Sequence, residues 1–559
     1  MTVISNNCWT RTAVTLLATA ALGCASTPAG SSISGGGPRT RAERTNYLET
    51  SRYADVIAFL DSLKGRPELA FGSIGKTNEG REIPYVIASR PRVSTPEEAA
   101  KLRRPIVYVQ GNIHAGEVEG KEALLALLRD LTSSRAPNVL DSVVLIAVPI
   151  YNADGNERFG RQEQNRGSQN GPEMVGVRTN AQGLDLNRDY IKAEAPETRA
   201  SLAMFNKWNP DVFVDLHTTN GSYHGYALTY APPLNPASPY QRMGHEIVTP
   251  ELRRRMQARH GFATFDYGDF VSSDTLAKGW ETFGPLPRFG TNYYGVRGGL
   301  SILSEAYSHD PFERRIMSTY AFVREILSLY GERQHRTRPA VSRLEPPREM
   351  ASEDGRVRLR IGDRIVAIRS AAIARPEPAE VVAEIVDRTG DSTRYEAGMP
   401  KGRRRTGRYV TVRMPVFDRF EPTLFAPIPE RYILRAADTA AVRVLRYHGI
   451  SVSVAERPVA GMEAVANAYV FLIDSTIVAS RAFQGHREMR LVGKWRQRAM
   501  PVPPGSFIVE MNQPLNALAV YLLEPQSDDG LVTWNYFDAA LKPGGLYPVF
   551  KVGGAPPSP

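Results

Sequence analysis

The chain has 559 residues, of which 42% are hydrophobic, 9% aromatic and 23% charged, a composition typical of globular proteins. It excludes a collagen-like, an intrinsically disordered and a disulfide-stabilised chain, and the length predicts two or three domains. The formal net charge of +10 favours an acidic partner, such as an anionic envelope surface or nucleic acid, but the basic runs lie in no recognisable nucleic-acid-binding motif, so we expect no nucleic-acid partner.

The first 24 residues have the features of a bacterial export signal. The cation Arg11 precedes an apolar segment at 13–22, which as a helix would rise only ~15 Å and is too short to span a bilayer. The sequence ALGC at 21–24 resembles the lipobox of bacterial lipoproteins and predicts a lipid anchor at Cys24, with ordinary cleavage near position 25 as the alternative. We therefore expect a chain exported to the bacterial envelope, lipid-anchored or periplasmic, or secreted.

Residues 25–45 are rich in serine and glycine and predict a flexible linker. From residue 46 to about 340, short β-branched apolar runs alternate with amphipathic stretches of helical periodicity. The runs predict buried strands at 106–110, 143–150, 212–217 and 300–304, and the amphipathic stretches predict helices at 119–131, 195–208, 239–260 and 311–330. This alternation predicts an α/β domain at 46–340, with a mainly parallel mixed sheet covered by helices on both faces.

A β-rich accessory region is expected over residues 341–559. Charged, alternating segments begin past residue 340, with strands predicted at 409–414, 469–474 and 517–523 and a helix at 437–447. Its histidines, His448 and His486, are far apart in the sequence and are expected to be structural. The region contains no motif whose chemistry we can name.

The first candidate site residues follow the strand at 106–110 directly. His114 and Glu117 stand in the sequence HAGE, where a turn would let a neutral imidazole and a carboxylate reach one cation. His217 ends the strand at 212–217, and ligands of open α/β sheets gather at the carboxyl ends of strands. Two of nine histidines thus occupy equivalent topological positions, which leaves a metal site and two unrelated structural histidines as open alternatives.

Two further polar motifs follow. In GLDLNRD at 183–189, Arg188 offers a planar fork for a carboxylate and Asn187 adds amide donors, with a structural pair of Asp and Arg at a helix start as the alternative. Glu305 comes directly after the strand at 300–304. It is either a salt-bridge partner or, beside a zinc ion, the general base for a metal-activated water.

Together these motifs resemble the zinc carboxypeptidases of the carboxypeptidase A type. HAGE, NADG at 152–155, GLDLNRD, DLH at 215–217 and SEA at 304–306 occur in the order of that family, over roughly residues 46–335. The resemblance implies one Zn²⁺ ion held by His114, Glu117 and His217, with a fourth position left for water. It also implies that Glu305 activates this water as the general base.

The resemblance assigns contacts to a peptide substrate as well. Asn187 and Arg188 would hold the free C-terminal carboxylate of the peptide, the feature that makes such an enzyme an exopeptidase. Asp185, two residues before Asn187, would orient the imidazole of His114.

Two roles implied by the resemblance have more than one candidate in this chain. Arg178 would steady the oxyanion of the tetrahedral intermediate, with Arg166 as the alternative. Tyr294 would close over the substrate, with Tyr293 as the alternative.

The leading hypothesis is therefore a zinc-dependent metallocarboxypeptidase that hydrolyses C-terminal peptide bonds. The alternative enzyme is a zinc amidohydrolase that acts on cell-wall peptides or acyl-amino acids. A third hypothesis is a binding protein that keeps the fold without turnover, and the complete set of predicted ligands and base argues against it. The sequence does not predict the oligomeric state.

Overall fold

The computed structural model describes residues 37–272, 275–332, 365–388, 403–456 and 465–553. Up to residue 306, the strands in chain order are Leu69–Lys76 (β1), Glu82–Ala88 (β2), Ile106–Gly111 (β3), Val144–Val148 (β4), Gly160–Arg161 (β5), Met174–Val175 (β6), Val212–Thr218 (β7), Leu228–Ala231 (β8), Thr264–Asp266 (β9), Asp269–Phe270 (β10), Trp280–Glu281 (β11) and Leu300–Ala306 (β12). The main sheet has the order β1-β2-β4-β3-β7-β12-β8-β9. Its four central strands, β4, β3, β7 and β12, run parallel, so their carboxyl ends share one edge.

Helices connect and cover these strands. In chain order they are Arg41–Arg44 (α1), Tyr53–Ser62 (α2), Pro96–Leu102 (α3), Glu119–Leu131 (α4), Ala153–Glu157 (α5), Gln162–Asn165 (α6), Pro196–Trp208 (α7), Gln241–Met243 (α8), Thr249–His260 (α9), Gly290–Val296 (α10) and Phe312–Gly331 (α11). Short 3₁₀ turns lie at Val139–Asp141, Leu186–Arg188 and Leu276–Lys278, and a π-helical turn at Gly244–Val248 leads into α9.

The sheet has a hydrophobic core on each face, because successive side chains of a strand point to opposite sides. On β3, Val107 and Val109 pack in the core that contains α4 and α11, whereas Tyr108 belongs to the opposite core. In that second core, the rings of Phe205 on α7 and Phe213 on β7 meet edge to face at 5.2 Å. Each fully buried side chain of this size contributes about 1.5–3 kcal/mol of hydrophobic stabilisation.

The carboxyl-terminal part of the chain is β-rich. Its strands are Ile365–Ile373 (β13), Ala379–Arg388 (β14), Arg403–Met414 (β15), Val416–Phe417 (β16), Arg419–Pro427 (β17), Arg431–Leu434 (β18), Ser453–Val454 (β19), Val465–Val478 (β20), Met489–Met500 (β21), Phe507–Glu510 (β22) and Phe550–Val552 (β23), and its helices are Thr439–Tyr447 (α12) and Asn516–Leu523 (α13). One sheet has the order β19-β22-β18-β23-β20-β21. Side chains such as Leu434, Leu445 and Trp534 belong to the same core cluster as Tyr108 and Phe205, so this region packs directly on one face of the main sheet.

The fold predicted from the sequence is confirmed: a mainly parallel mixed sheet with helices on both faces is followed by a β-rich region. One predicted element is wrong. Residues 517–523 were expected to form a strand, but Asn516–Leu523 is the helix α13, in which nearly every side chain is buried. A short, continuous apolar run cannot distinguish a buried strand from a buried helix, because burial on all sides removes the periodicity.

Several predictions fall on residues outside the described ranges. These are the export signal at 1–24, the lipid anchor at Cys24, most of the linker at 25–45 and the boundary near residue 340. The last part of the linker segment is folded, since Thr40 caps α1 and Glu43 is paired with buried Arg129 at 2.6 Å. Of the helices in the described ranges, none combines the length and the apolarity that a membrane crossing requires.

Candidate active site

The candidate site lies at the edge where the central parallel strands end. His217 on β7 and Glu305 on β12 are partners in the parallel pairing, so their side chains leave the sheet on the same face. After β3, the chain passes through Asn112 with φ 66°, a left-handed conformation that turns the following loop. His114 and Glu117 lie on this loop, which the Glu117 N–H closes by donating to the His114 carbonyl at 2.9 Å.

Three side chains converge in this site, and we call His114, Glu117 and His217 the zinc-site group. The Nδ1 atom of His114 lies 3.0 Å from Glu117 Oε1, and the Nδ1 atom of His217 lies 3.0 Å from Glu117 Oε2. The two Nδ1 atoms are 3.2 Å apart. All three side chains are buried.

A carboxylate lies beside the outer nitrogen of each histidine. Asp185 Oδ1 is 3.0 Å from Nε2 of His114, and Asp215 Oδ2 is 3.0 Å from Nε2 of His217. Such partners fix the tautomer and the ring orientation of metal-binding histidines. Burial alone would lower the pKa of His217, but Asp215 and Glu117 raise it well above its usual value.

The geometry of the zinc-site group fits a zinc ion. Tetrahedral ligands at a zinc–nitrogen distance of ~2.0–2.1 Å are separated by about 3.3 Å. The two Nδ1 atoms lie 3.2 Å apart, and each lies 3.0 Å from one of the two oxygens of the Glu117 carboxylate. Glu117 is charged: burial would raise its pKa, but Arg166 and His114 hold it well below the usual value. Two inner imidazole nitrogens and a carboxylate are therefore directed at one point, as a catalytic zinc site requires.

Glu305 lines the same pocket and is buried. Its Oε2 atom has no hydrogen-bond partner among the described residues, which leaves it available to a water or a substrate. Burial, together with the nearby charge of Glu117, raises the pKa of Glu305 to about 8. A buried carboxyl group with an open oxygen beside a metal site has the geometry of a general base.

The two arginines predicted from the sequence both approach Glu117. The Nη1 atom of Arg166 lies 3.2 Å from Glu117 Oε1, and the Nη1 atom of Arg178 lies 3.6 Å from it. Arg166 also donates to the carbonyls of Thr218 and Thr219 at 2.5 and 3.0 Å. Arg178 pairs with Asp185 at 2.9 Å and lines the pocket, so its guanidinium is the better placed of the two to meet a substrate oxygen.

Asn187 and Arg188 line the pocket together. The Oδ1 atom of Asn187 accepts a hydrogen bond from the Gly290 N–H at 2.8 Å, which leaves its amide NH₂ group as a donor. The guanidinium of Arg188 stacks over the ring of Phe289 at 4.3 Å and donates to the Asn187 carbonyl at 2.8 Å. Burial lowers the pKa of Arg188, and a carboxylate is the natural partner for such a desolvated guanidinium.

Tyr294 lies outside this pocket, so its predicted role is wrong. Its ring packs against Phe205 and Phe213 in the core, at 4.8 and 5.5 Å, and its hydroxyl donates to the Pro210 carbonyl. The alternative, Tyr293, is also buried and bonds His448 at 2.9 Å. Both lie on α10, whose residues Gly290–Val296 are all buried, so neither side chain can close over a substrate.

Tyr267, rather than Tyr294, is the tyrosine that lines the pocket. It follows the edge strand β9, its ring meets Phe283 edge to face at 5.8 Å, and its hydroxyl accepts from Asn220 at 2.9 Å. The remaining side chains around the pocket are Thr218, Asn220, Phe283, Phe289, Thr291 and Leu303. Within the sequence FDYGDF at 265–270, Tyr267 follows a strand of only three residues, so no strong signal marked it as a site residue.

A second buried group of possible metal ligands occurs in the described residues, and we call His245, Asp266 and Asp418 the arginine-paired group. Arg375 bridges the two carboxylates, at 2.6 Å from Asp266 and 2.5 Å from Asp418. Arg253 also pairs with Asp266 at 2.6 Å, and Arg419 pairs with Asp418 at 2.8 Å. Because guanidinium groups already occupy these carboxylates, the group is a structural ion-pair cluster rather than a cation site.

The fold and the zinc-site group define a metal-dependent hydrolase with its site at the carboxyl ends of parallel strands. Residues 56–261 match the model of the zinc carboxypeptidase family, which identifies this part of the chain as a zinc carboxypeptidase domain. Members of this family are zinc enzymes, and the zinc-site group fits their metal. The chain is therefore a hydrolase of the metallocarboxypeptidase class.

Individual relatives agree with this family. The chain is 22% identical over 501 residues to carboxypeptidase 2 of Trichophyton rubrum, a match that covers 85% of this chain and 81% of the relative. It is 35% identical over 157 residues to human carboxypeptidase D, which covers 26% of this chain and 10% of the relative. Among solved structures, carboxypeptidase A of Helicoverpa armigera is similar over 53% of this chain and 74% of its own, with 14% identity and a TM-score of 0.39.

Proposed function

We propose that this chain removes the last residue from peptides with a free terminal carboxylate. The observation that carries the proposal is the composition of a single pocket. It is lined by the zinc-site group, by the open carboxyl oxygen of Glu305, and by the amide and guanidinium of Asn187 and Arg188. To cleave the last peptide bond of a substrate that is held by its terminal carboxylate, the metal site, the base and the carboxylate-binding groups must lie within about the length of one residue.

The residues take complementary parts in this mechanism. Arg188 would grip the terminal carboxylate of the substrate, and the amide of Asn187 would add a donor. Glu305 would take a proton from the attacking water and return it to the leaving amine. Arg178 would donate to the scissile carbonyl oxygen as it gains negative charge. Zinc, when bound, supplies Lewis acidity and a water of lowered pKa.

The pocket also supports a preference among terminal residues. Phe283, Phe289 and Leu303 line it together with Tyr267, and these side chains offer mainly apolar surface. We propose that peptides ending in an apolar or aromatic residue are better substrates than peptides ending in lysine or aspartate.

The amino-terminal segment supports a place of action outside the cytoplasm. Its short apolar run and the ALGC sequence at 21–24 lead us to propose export to the envelope, with a lipid on Cys24. Mass spectrometry of the mature amino terminus tests this: a lipidated Cys24 supports the proposal, and an intact residue 1 contradicts it.

The decisive experiment is an assay of the purified chain on paired peptides with free and amidated carboxyl ends. We expect stepwise loss of single residues from the free-ended peptides only, abolished by a chelator and restored by zinc. Cleavage that ignores amidation would contradict the roles of Asn187 and Arg188. Hydrolysis of acyl-amino acids or of cell-wall peptides alone would instead identify the amidohydrolase.

Glu305→Gln tests the proposed base. The variant keeps the size of the side chain but cannot accept a proton, so we expect kcat to fall by about 10²–10⁴-fold. Zinc content, measured by atomic absorption, should stay at one per chain. Glu313→Gln, on the first turn of α11, is the matched control and should keep full activity. Full activity of Glu305→Gln would contradict the role of Glu305.

A further inference from the structure

A turn of the carboxyl-terminal region reaches the substrate-binding motif of the main domain. The side chain of Gln484 accepts a hydrogen bond from the backbone N–H of Asp185, with Oε1 at 3.0 Å from the nitrogen. The two residues are 299 positions apart in the sequence. A residue well beyond the family match at 56–261 therefore contacts the backbone of the substrate-binding motif.

The conformation of this turn is unusual for glutamine. Phe483 and His486 exchange backbone hydrogen bonds of 2.7 and 3.0 Å, so Gln484 and Gly485 form a two-residue hairpin loop. Gln484 has φ 50° and Gly485 has φ 82°, the left-handed region that such loops require and that favours glycine or asparagine. Turn formation alone does not favour glutamine here, whereas the contact with Asp185 uses the full length of its side chain.

Neighbouring contacts fix the turn against the main domain. His486 Nε2 lies 2.7 Å from Glu194 Oε1, and its Nδ1 atom lies 3.1 Å from Asn535. The ring of Phe483 packs 6.4 Å from the ring of Trp534. The position of Gln484 is thus set by contacts on both sides of it.

The residue that Gln484 holds connects three parts of the site. The carboxylate of Asp185 lies 3.0 Å from Nε2 of His114, accepts from Arg178 Nε at 2.9 Å and accepts from the Asn187 N–H at 2.9 Å. A shift of the Asp185 backbone would therefore move a zinc ligand, the candidate oxyanion donor and the carboxylate-binding residue together.

A second contact of the same region supports the opposite wall of the pocket. Asp529 accepts from the backbone N–H of Arg288 at 2.6 Å and from its Nε atom at 3.0 Å. Glu488, close to the turn, pairs with the same guanidinium at 2.6 Å. The next residue, Phe289, lines the pocket and stacks with Arg188, so the carboxyl-terminal region contacts the chain beside both Arg188 and Phe289.

We propose that Gln484 is a positioning residue of the active site, and that the carboxyl-terminal region completes this site rather than serving as a separate accessory module. The proposal rests on the proposed function, because it assigns Gln484 a role through Asp185 and His114. It predicts that loss of the Gln484 acceptor weakens zinc binding and turnover without unfolding the chain.

Gln484→Gly and Gln484→Met in the full chain test the proposal. Glycine relieves the left-handed conformation and removes the acceptor, whereas methionine keeps the length of the side chain without an acceptor. For both variants we expect the zinc dissociation constant, measured by competition with a fluorescent chelator, to rise about 10-fold, the lower end of the range for partners of zinc ligands. We expect kcat to fall by a similar factor. Arg481→Ala, an exposed change two residues before the turn, is the matched control.

The readouts separate positioning from stability. Gln484→Gly should melt at or above the wild-type temperature, so weaker zinc binding in that variant cannot come from unfolding. Gln484→Glu, which keeps an acceptor oxygen, should recover most of the zinc affinity. Zinc affinity and kcat within twofold of wild type in both Gly and Met variants would overturn the proposal. A wild-type chain that binds zinc but cleaves no peptide would overturn the proposed function instead, while the zinc comparison would still test Gln484.

Discussion

The zinc-site group and the arginine-paired group contain similar donor atoms, and their six side chains are all buried. They differ in what surrounds the donors. In the zinc-site group, a carboxylate oxygen lies 3.0 Å from the outer nitrogen of each histidine, and at His114 this contact is a hydrogen bond that orients the ring. In the arginine-paired group, neither ring nitrogen of His245 has a hydrogen-bond partner within the described part of the chain.

The balance of carboxylate and guanidinium groups also differs between the two groups. In the zinc-site group and its outer partners, the three carboxylates of Glu117, Asp185 and Asp215 stand against the two guanidinium groups that pair with them, those of Arg166 and Arg178. In the arginine-paired group, the two carboxylates stand against the three guanidinium groups of Arg253, Arg375 and Arg419. The first surroundings suit a divalent cation and the second do not. The charge of the neighbours therefore distinguishes the sites where the donor types cannot.

Removing one histidine from each group gives the sharpest test of this difference. His217→Asn takes away one of three protein ligands, so we expect zinc affinity to fall by more than ~100-fold, beyond the loss typical of outer partners, and activity to disappear. His245→Asn should keep one zinc per chain and most of the activity. Zinc content after gel filtration and peptide cleavage measure both effects. If the wild type held a second zinc ion and only His245→Asn lost it, the proposed difference between the two groups would be contradicted.

The arginine-paired group should matter for stability instead. Arg375→Met leaves Asp266 and Asp418 with one guanidinium each, and breaking a buried ion pair from one side costs about 3–5 kcal/mol. We expect the free energy of unfolding to fall by about 3 kcal/mol, measured by urea denaturation, with zinc content unchanged.

Arg413→Met is the control for this change. Arg413 is an exposed residue on β15 that pairs with Glu377 at 3.8 Å, so its loss should change the unfolding free energy by less than about 0.5 kcal/mol. Equal effects of the two substitutions would show that the buried ion pairs add nothing to the stability of the chain.

The same contrast explains what the sequence could predict. His114, His217 and Glu305 each follow an apolar run that is long enough to identify as a strand, and parallel topology alone brings such strand ends together. The local sequence therefore predicted which residues would meet at this edge. The resemblance to the family then assigned Asn187 and Arg188 to the substrate carboxylate, and the structure places both residues in the same pocket.

Residues that depend on distant packing could not be found in this way. Tyr267 reaches the pocket from just after an edge strand of three residues, and Gln484 contacts the backbone of Asp185 across 299 positions of the chain. The role of Tyr294 rested on the family resemblance alone, and the structure places this residue on a helix whose residues are all buried. Neither burial on all sides nor a contact between residues far apart in the chain leaves a periodic signal in the local sequence.

The smallest expected effect is a pH dependence of stability that belongs to His245. Burial and the nearby Arg419 lower its pKa to about 4, even though Asp418 and Asp266 act in the opposite direction and Arg375 adds to the lowering. Above pH 6.5 neither the folded nor the unfolded chain protonates this histidine. As the pH falls from 6.5 towards 4, only the unfolded chain gains the proton, so His245 contributes a loss of stability in that window.

Comparison of wild type with His245→Asn isolates this contribution from all other titrating groups. Between pH 7.5 and 5.5 the unfolding free energy of the wild type should fall by about 1 kcal/mol more than that of the variant, since one pKa unit corresponds to about 1.4 kcal/mol. Urea denaturation at the two pH values measures the difference. Parallel losses in both proteins would mean that His245 takes up its proton in the folded chain, and that the guanidinium groups around it do not exclude positive charge. The arginine-paired group would then accept positive charge, which would contradict its assignment as a structural ion-pair cluster that holds no cation.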